Sequence, residues 1–214
     1  PPPPFFFSTQ TPASEMLRSL VGSEMCIRDS VKAVRNKMKL AFSIPGRIWW
    51  IQNFLDKEVY KGIHNAIIKE RKSLNLKDVK SAWSSFLYNN MKLPKRVEVS
   101  NYPPFEILKD KLKSNPYCLL PDLKHITTTI HYMEQGTGIN WHSDDTWTYG
   151  ATYYLNNKWQ RQWGGEFMFT DTSGNSFIPV LGNSLVIVKA PIPHKVNPVL
   201  SPLMPRISVQ IFMK

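Results

Sequence analysis

Cysteine is nearly absent: Cys26 and Cys118 are the only two thiols in 214 residues. Two cysteines cannot build a disulfide framework, and their separation matches no zinc-binding spacing, so nothing ties the chain to an oxidising compartment and the reading leans to cytoplasm. Long apolar runs are also missing. The most apolar stretch, Leu185 to Pro193, is interrupted by Lys189 and by prolines, far short of the roughly 18 to 20 residues a membrane helix needs. A soluble protein with no membrane partner is expected. Acidic residues are scarce, 16 against 27 Lys and Arg, for a formal charge of +11. Such an excess suits polyanions such as nucleic acid, or simply solubility, and the scattering of the basic residues favours the second. A hydrophobic share of 42% in a chain of this length supports one buried core and does not favour two full domains.

The first thirty residues stand apart. PPPPFFFSTQTPASEMLRSLVGSEMCIRDS opens on homopolymer runs and lacks both the basic start and the continuous apolar region of a signal peptide. It shows no sustained helix or strand period. VGSEMCIRDS resembles translated sequencing-adaptor sequence. Residues 1–30 are therefore expected to be non-native or disordered, with the natural start near Met38 and residues 31–214 forming a single domain.

From Ile48 the pattern becomes structural. IWWIQNFLD reads as a strand entering a turn, after which Asp56 caps a helix carrying Val59, Ile63, Ile67 and Ile68 at helical spacing to about Glu70. A second helical pattern spans about Val79 to Met91. A third follows Pro103-Pro104, with Phe105, Leu108 and Leu112 on one face. After Asn115-Pro116 the period becomes two, with strands predicted at about Ile126–Met133, Gly150–Leu155, Glu166–Thr170, Ser184–Val188 and Arg206–Phe212. Helices first and many short strands afterwards predict a mainly β fold, a sandwich or jelly roll with the N-terminal helices covering one sheet.

In RISVQIF, Arg206, Ser208 and Gln210 share one face of the strand while Ile207, Val209 and Ile211 share the other. If helices cover the isoleucine face, the polar face looks into the barrel, where an unpaired guanidinium carries a heavy desolvation cost. That implies an anion beside Arg206, unless the strand lies at a sheet edge with Arg206 in water.

His142 and Asp144 are two apart in INWHSDD, so on an extended segment both project to one side and could bind one cation. Alone the pair is weak evidence, since His and Asp meet by chance in many loops. Of the other histidines, His64 lies in the first helix, His125 precedes a strand, and His131 points away from its neighbour Tyr132. His194 follows the apolar strand LVIVKA and stands twelve residues before Arg206. Two histidines and a carboxylate on one side of a metal leave the opposite positions open, as in non-haem Fe(II) oxygenases.

His142-x-Asp144, the distal His194 and Arg206-x-Ser208 resemble the Fe(II)- and 2-oxoglutarate-dependent dioxygenases, and YMEQGTGINWHSD with YYLNNKWQRQWGGEF resembles their prolyl 4-hydroxylase-like branch. The similarity runs from about Ile126 to Phe212. It implies a double-stranded β-helix, the cupin-like jelly roll, and an enzyme using Fe(II), 2-oxoglutarate and O2, with ascorbate as an accessory reductant. It further implies His142, Asp144 and His194 as the metal ligands and catalytic centre. Arg206 would pair bidentately with the distal carboxylate of 2-oxoglutarate. Tyr154 would donate its hydroxyl to that carboxylate, Tyr132 would face the cosubstrate near the metal, and Ser208 would add a donor. Asp145 and Trp147, just beyond the ligands, are candidates for the substrate pocket wall. The segment from His194 to Arg206, containing NPVLSPLMP, is somewhat longer than the branch pattern, which predicts a small loop insertion.

The resemblance implies hydroxylation of a peptide or a small polar substrate. Lys158, Trp159, Arg161 and Trp163 mix cations with aromatics, a combination able to stack bases and bind phosphates, so nucleic-acid demethylation is the runner-up. Phe212 argues against it, since the alkylated-base demethylases resembled here carry a second arginine six residues after the first.

Overall fold

The computed structural model describes residues 37–70, 77–78, 87, 91–98, 103–118, 120 and 123–214. Residues 1–30 and most of the second helical pattern, about Val79 to Met91, lie outside the described residues.

The described strands, numbered in chain order, are β1 (Lys39–Ile44), β2 (Ile48–Gln52), β3 (Lys77–Asp78), β4 (Lys95–Glu98), β5 (Ile126–Met133), β6 (Ile139–His142), β7 (Tyr149–Tyr154), β8 (Phe167–Asp171), β9 (Gly174–Ile178), β10 (Ser184–Lys189), β11 (His194–Val196) and β12 (Arg206–Met213). They form an eight-stranded sheet in the order β1-β2-β10-β7-β12-β5-β4-β3 and a four-stranded sheet in the order β6-β11-β8-β9. Every ladder within the two sheets is antiparallel. Helices α1 (Lys57–Glu70) and α2 (Pro103–Lys113) complete the described regular structure, apart from one short 3-10 turn at Arg161–Trp163. No described helix is long and apolar enough to cross a membrane.

Strand alternation explains why β10 and β12 lie inside the larger sheet and not at its edges. In SLVIVK, Leu185 and Ile187 join the core shared with α1 and α2, whose Ile63, Ile67, Phe105, Leu108 and Leu112 are all buried. Val186 and Val188 face the other way and pack with Phe167 and Phe169 of the smaller sheet. A strand buried on both faces reads as a continuous apolar run because neither face meets water. In β12 the helix-covered face is Ile207, Val209 and Ile211. The opposite face carries Arg206 and Ser208, both fully buried between the sheets. The strand lies between β7 and β5, so the edge alternative for Arg206 fails.

Six strands escaped the sequence reading: β1, β3, β4, β6, β9 and β11. Four of them are only three to five residues long or lie in polar, Gly-containing sequence (KRVE, INWH, GNSFI, HKV), too short to display a period of two. Between β11 and β12 the chain forms no further strand. Val199 is stitched by backbone bonds to Gly136 and Thr137, and Leu200, Leu203 and Met204 beyond it are exposed.

Candidate active site

His142 ends β6 and His194 begins β11, and the two are directly paired in the ladder between those strands. Their rings stand 4.3 Å apart between centroids. Asp144 follows in a turn closed by the Trp147 amide donating to the Asp144 carbonyl at 2.9 Å. One carboxylate oxygen lies 3.5 Å from His194 Nε2 and the other 3.9 Å from His142 Nε2. One candidate ligand atom from each residue falls within 4.8 Å of the others.

Each imidazole is oriented by its own strand. His142 Nδ1 meets the Asn140 carbonyl at 2.8 Å, and His194 Nδ1 meets the Ile192 carbonyl at 2.8 Å. A carbonyl only accepts, so each Nδ1 carries its hydrogen and each Nε2 is turned toward Asp144, the arrangement that fixes ring direction in metal-binding histidines. Phe167 stacks on His194 with centroids 5.2 Å apart. Burial, reinforced by the neighbouring His194, lowers the His142 pKa. Burial works to raise the Asp144 carboxyl, but the hydrogen bond and charge of His194 and the charge of His142 outweigh it and hold the carboxylate below its ordinary range. Two imidazoles and one carboxylate converging on a half-buried point fit a divalent iron ion with open positions.

Arg206 is fully buried. Nη1 donates to Ser208 Oγ at 3.0 Å and touches Met133 Sδ at 3.3 Å. Nε and Nη2 are enclosed without a hydrogen-bond partner, as is the Tyr154 hydroxyl. The guanidinium carbon sits 5.0 Å from the Tyr154 ring centre. Gly165, at φ +76°, makes room for this side chain: a Cβ there would lie 2.9 Å from Arg206 Cδ. A buried cation with two donors free, beside an unpaired phenol, fits a carboxylate, because an uncompensated charge in this environment costs several kcal/mol, on the order of 3–5.

A cavity of about 550 Å³ opens between the sheets over the triad. Its wall includes His142, Asp144, His194, Phe167, Trp147 and Phe212. Further in, Thr152 donates to Gln210 Oε1 at 2.8 Å and Gln210 donates to Ser208 Oγ at 3.1 Å, a polar chain that ends on Arg206.

Tyr132 requires a correction. It lies opposite Ile207, in the core under the helices and on the reverse face of β5 from the cavity. Its neighbour His131, opposite Ser208, lines the cavity instead. The sequence carried the signal: in ITTTIHYM, Thr127, Thr129 and His131 form the more polar parity. Burial, then the charges of Arg206 and Arg96, push the His131 pKa down to about 3, with Asp144 opposing. Asp145 is exposed and absent from the cavity wall, whereas Trp147 lines it. Trp147 also stacks on His125 and tilts against Phe212, its ring 5.9 Å and 5.5 Å from theirs. Arg96, Thr152 and His131 are cavity residues that sequence reasoning did not nominate.

Residues 128–214 match the family described as the 2OG-Fe(II) oxygenase superfamily. The matched stretch contains His142, Asp144, His194 and Arg206. Members use Fe(II), 2-oxoglutarate and O2, and the chain is an oxidoreductase of the dioxygenase type. No curated protein sequence matches it. Among solved structures, its fold is similar to a prolyl-4-hydroxylase from Pseudomonas putida at 15% identity, covering 78% of this chain and 91% of that one with a TM-score of 0.61. It is similar to a Trichoplax adhaerens prolyl hydroxylase solved with a hypoxia inducible factor oxygen degradation domain peptide, at 16% identity, 79% and 84% coverage and a TM-score of 0.66. A viral collagen prolyl hydroxylase from Paramecium Bursaria Chlorella virus-1, solved with 2-oxoglutarate, shows 14% identity, 79% and 96% coverage and a TM-score of 0.55. These likenesses bear out the double-stranded β-helix.

Proposed function

We propose that this dioxygenase hydroxylates a C–H bond of a prolyl residue in a peptide, with His142, Asp144 and His194 holding Fe(II) and Arg206 with Tyr154 holding the distal carboxylate of 2-oxoglutarate. The observation that carries the reading is the buried Arg206 with Nε and Nη2 unpaired, on the face of β12 turned away from the helix-covered core. Fe(II) held by the triad would supply the oxidation in which O2 gives one oxygen atom to 2-oxoglutarate, released as succinate and CO2, and the other to the substrate, whose C–H becomes C–OH. The protein orients and excludes water. Ser208 takes up Nη1, leaving the edge formed by Nε and Nη2 for a bidentate carboxylate. The Tyr154 hydroxyl donates to the same group, and burial keeps it protonated by raising its pKa, with the nearby Arg206 opposing. The Asn140 and Ile192 carbonyls keep both Nε2 atoms available to the metal. Phe212, Phe167 and Trp147 give the substrate a largely apolar wall.

The prolyl reading is supported by the fold shared with prolyl hydroxylases and by Phe212 at the cavity position where a demethylase-type arginine would stand. The Lys158-to-Trp163 cluster lends little to nucleic-acid binding. Trp159 and Trp163 pack edge to face at 5.3 Å, and the Trp159 indole donates to the Gly164 carbonyl at 2.9 Å, so Trp159 is engaged in packing and not offered as a stacking platform.

The test incubates the Fe(II)-loaded protein with 2-oxoglutarate and either proline-rich peptides or methylated oligonucleotides, following mass gain and formaldehyde together. One oxygen retained on a peptide, with matching succinate, is the expected result. Formaldehyde from oligonucleotides with no oxygen added to any peptide, and binding that weakens steeply with salt through counterion release, would establish demethylation instead.

A further inference from the structure

Arg96 has no role in the chemistry above. It sits on β4 directly opposite His131, and both line the cavity. Its neighbour Lys95 reaches Glu134 at 3.7 Å, while Arg96 has no ion pair among the described residues. Among the described residues, Asp144 is the only carboxylate in the cavity wall, and its two oxygens are engaged by the triad histidines. With Fe(II) and the 2-oxoglutarate dianion bound, the charges of Asp144, Arg206 and Arg96 leave the site with one positive charge in excess, and that excess resides at Arg96. A half-buried guanidinium facing a cavity offers a planar fork of donors that matches a carboxylate.

We propose that Arg96 is a specificity-determining residue that pairs with a carboxylate on the substrate, so the enzyme selects acidic substrates over their neutral counterparts. The proposal rests on the assignment of this cavity as the substrate site and does not require the target carbon to belong to proline. A substrate carboxylate can come from an acidic side chain near the target residue in a peptide, or from the α-carboxylate of a free amino acid or chain terminus. Both present the same two oxygens.

The experiment measures binding by calorimetry to the holoenzyme loaded with Fe(II) and 2-oxoglutarate under anaerobic conditions, where no turnover occurs. Two matched pairs are compared: acetyl-Ala-Pro-Glu-Ala-amide with its Gln counterpart, and L-proline with L-prolinamide. One acid is expected to bind about tenfold or more tightly than its amide, as a charge-assisted pair in a shielded site gives. Which acid does so identifies the source of the carboxylate. Arg96→Gln should abolish the preference while leaving 2-oxoglutarate affinity and iron content unchanged, a readout that a merely structural role would not give. Equal binding of acid and amide in both pairs, including no measurable binding of any probe, overturns the proposal, as does an acid preference that survives in Arg96→Gln. If the preference depends on Arg96 but no proline probe gains oxygen on admission of air, the carboxylate assignment stands and the prolyl reading fails.

Discussion

Replacing Arg206 with methionine should change stability and cosubstrate binding in opposite directions. The side chain is wholly enclosed, with only Nη1 hydrogen-bonded to protein oxygen and Nε and Nη2 unpaired. Without 2-oxoglutarate the fold carries a buried charge whose desolvation is only partly offset. Methionine fills much of the same volume, contacts Met133 and Tyr154 and removes the charge, and such replacements are commonly neutral or stabilising by about 1–4 kcal/mol. The ligand-free variant should therefore melt at or above the wild-type temperature. Binding is another matter, because truncating one partner of a buried, hydrogen-bonded charge pair costs about 2–5 kcal/mol, a loss of roughly 30- to 5,000-fold in affinity. Differential scanning calorimetry with and without 2-oxoglutarate, in the presence of metal, reads both quantities: the variant starts as stable as wild type or more so, and the ligand no longer raises its melting temperature. Iron content should stay intact. A variant that is several kcal/mol less stable without ligand, yet binds 2-oxoglutarate within about threefold of wild type, would show that Arg206 is a structural cation and not the anchor.

Three further outcomes can be measured directly. His194→Ala should cut iron content and succinate formation by about 10- to 100-fold or more, and unchanged values of both would end the ligand assignment. His131 is held near pKa 3 against an ordinary 6.5, so below pH 6.5 the unfolded chain takes up a proton that the folded protein refuses. Its contribution to stability is fully present above pH 6.5 and is lost on acidification toward pH 3, at up to about 1.4 kcal/mol per pH unit. Urea unfolding from pH 7 to 4.5 should accordingly fall less steeply in His131→Gln than in wild type, and parallel profiles would show that the ring protonates normally inside the fold. Deleting residues 1–30, which show neither capping pattern nor apolar period, should leave melting temperature and turnover unaltered, and a large loss of either would reveal a part played by that segment.

What the sequence disclosed and what it hid follow from the same geometry. Arg206, Ser208 and Gln210 were legible because β12 is eight residues long and its two parities differ sharply in polarity. His142 and Asp144 were legible by adjacency, and His194 only because the chemistry demanded a third ligand. The strands that present the two histidines, INWH and HKV, were invisible, since four and three residues cannot display a period. Tyr132 shows the other failure: family spacing suggested a cosubstrate role, while alternation along β5 turns its ring under the helices and brings His131 to the cavity. Arg96 was missed because β4 is short and its place beside His131 depends on a pairing between segments more than thirty residues apart.

The direct pairing of His142 with His194 has a mechanical consequence. Strand β11 is three residues long, and its ladder to β6 is irregular after that pair, whereas β5 and β12 pair without interruption from Met133–Arg206 to Ile126–Met213. The smaller sheet is thus closed along one seam by very little backbone bonding, and an ion gripped by both histidines becomes a rivet across it. Metal loading should slow amide exchange along β6 and β11 while scarcely altering β5 and β12, because only the seam trades open excursions for ligation. In this architecture an ion held by both histidines would add a cross-link where the backbone supplies few.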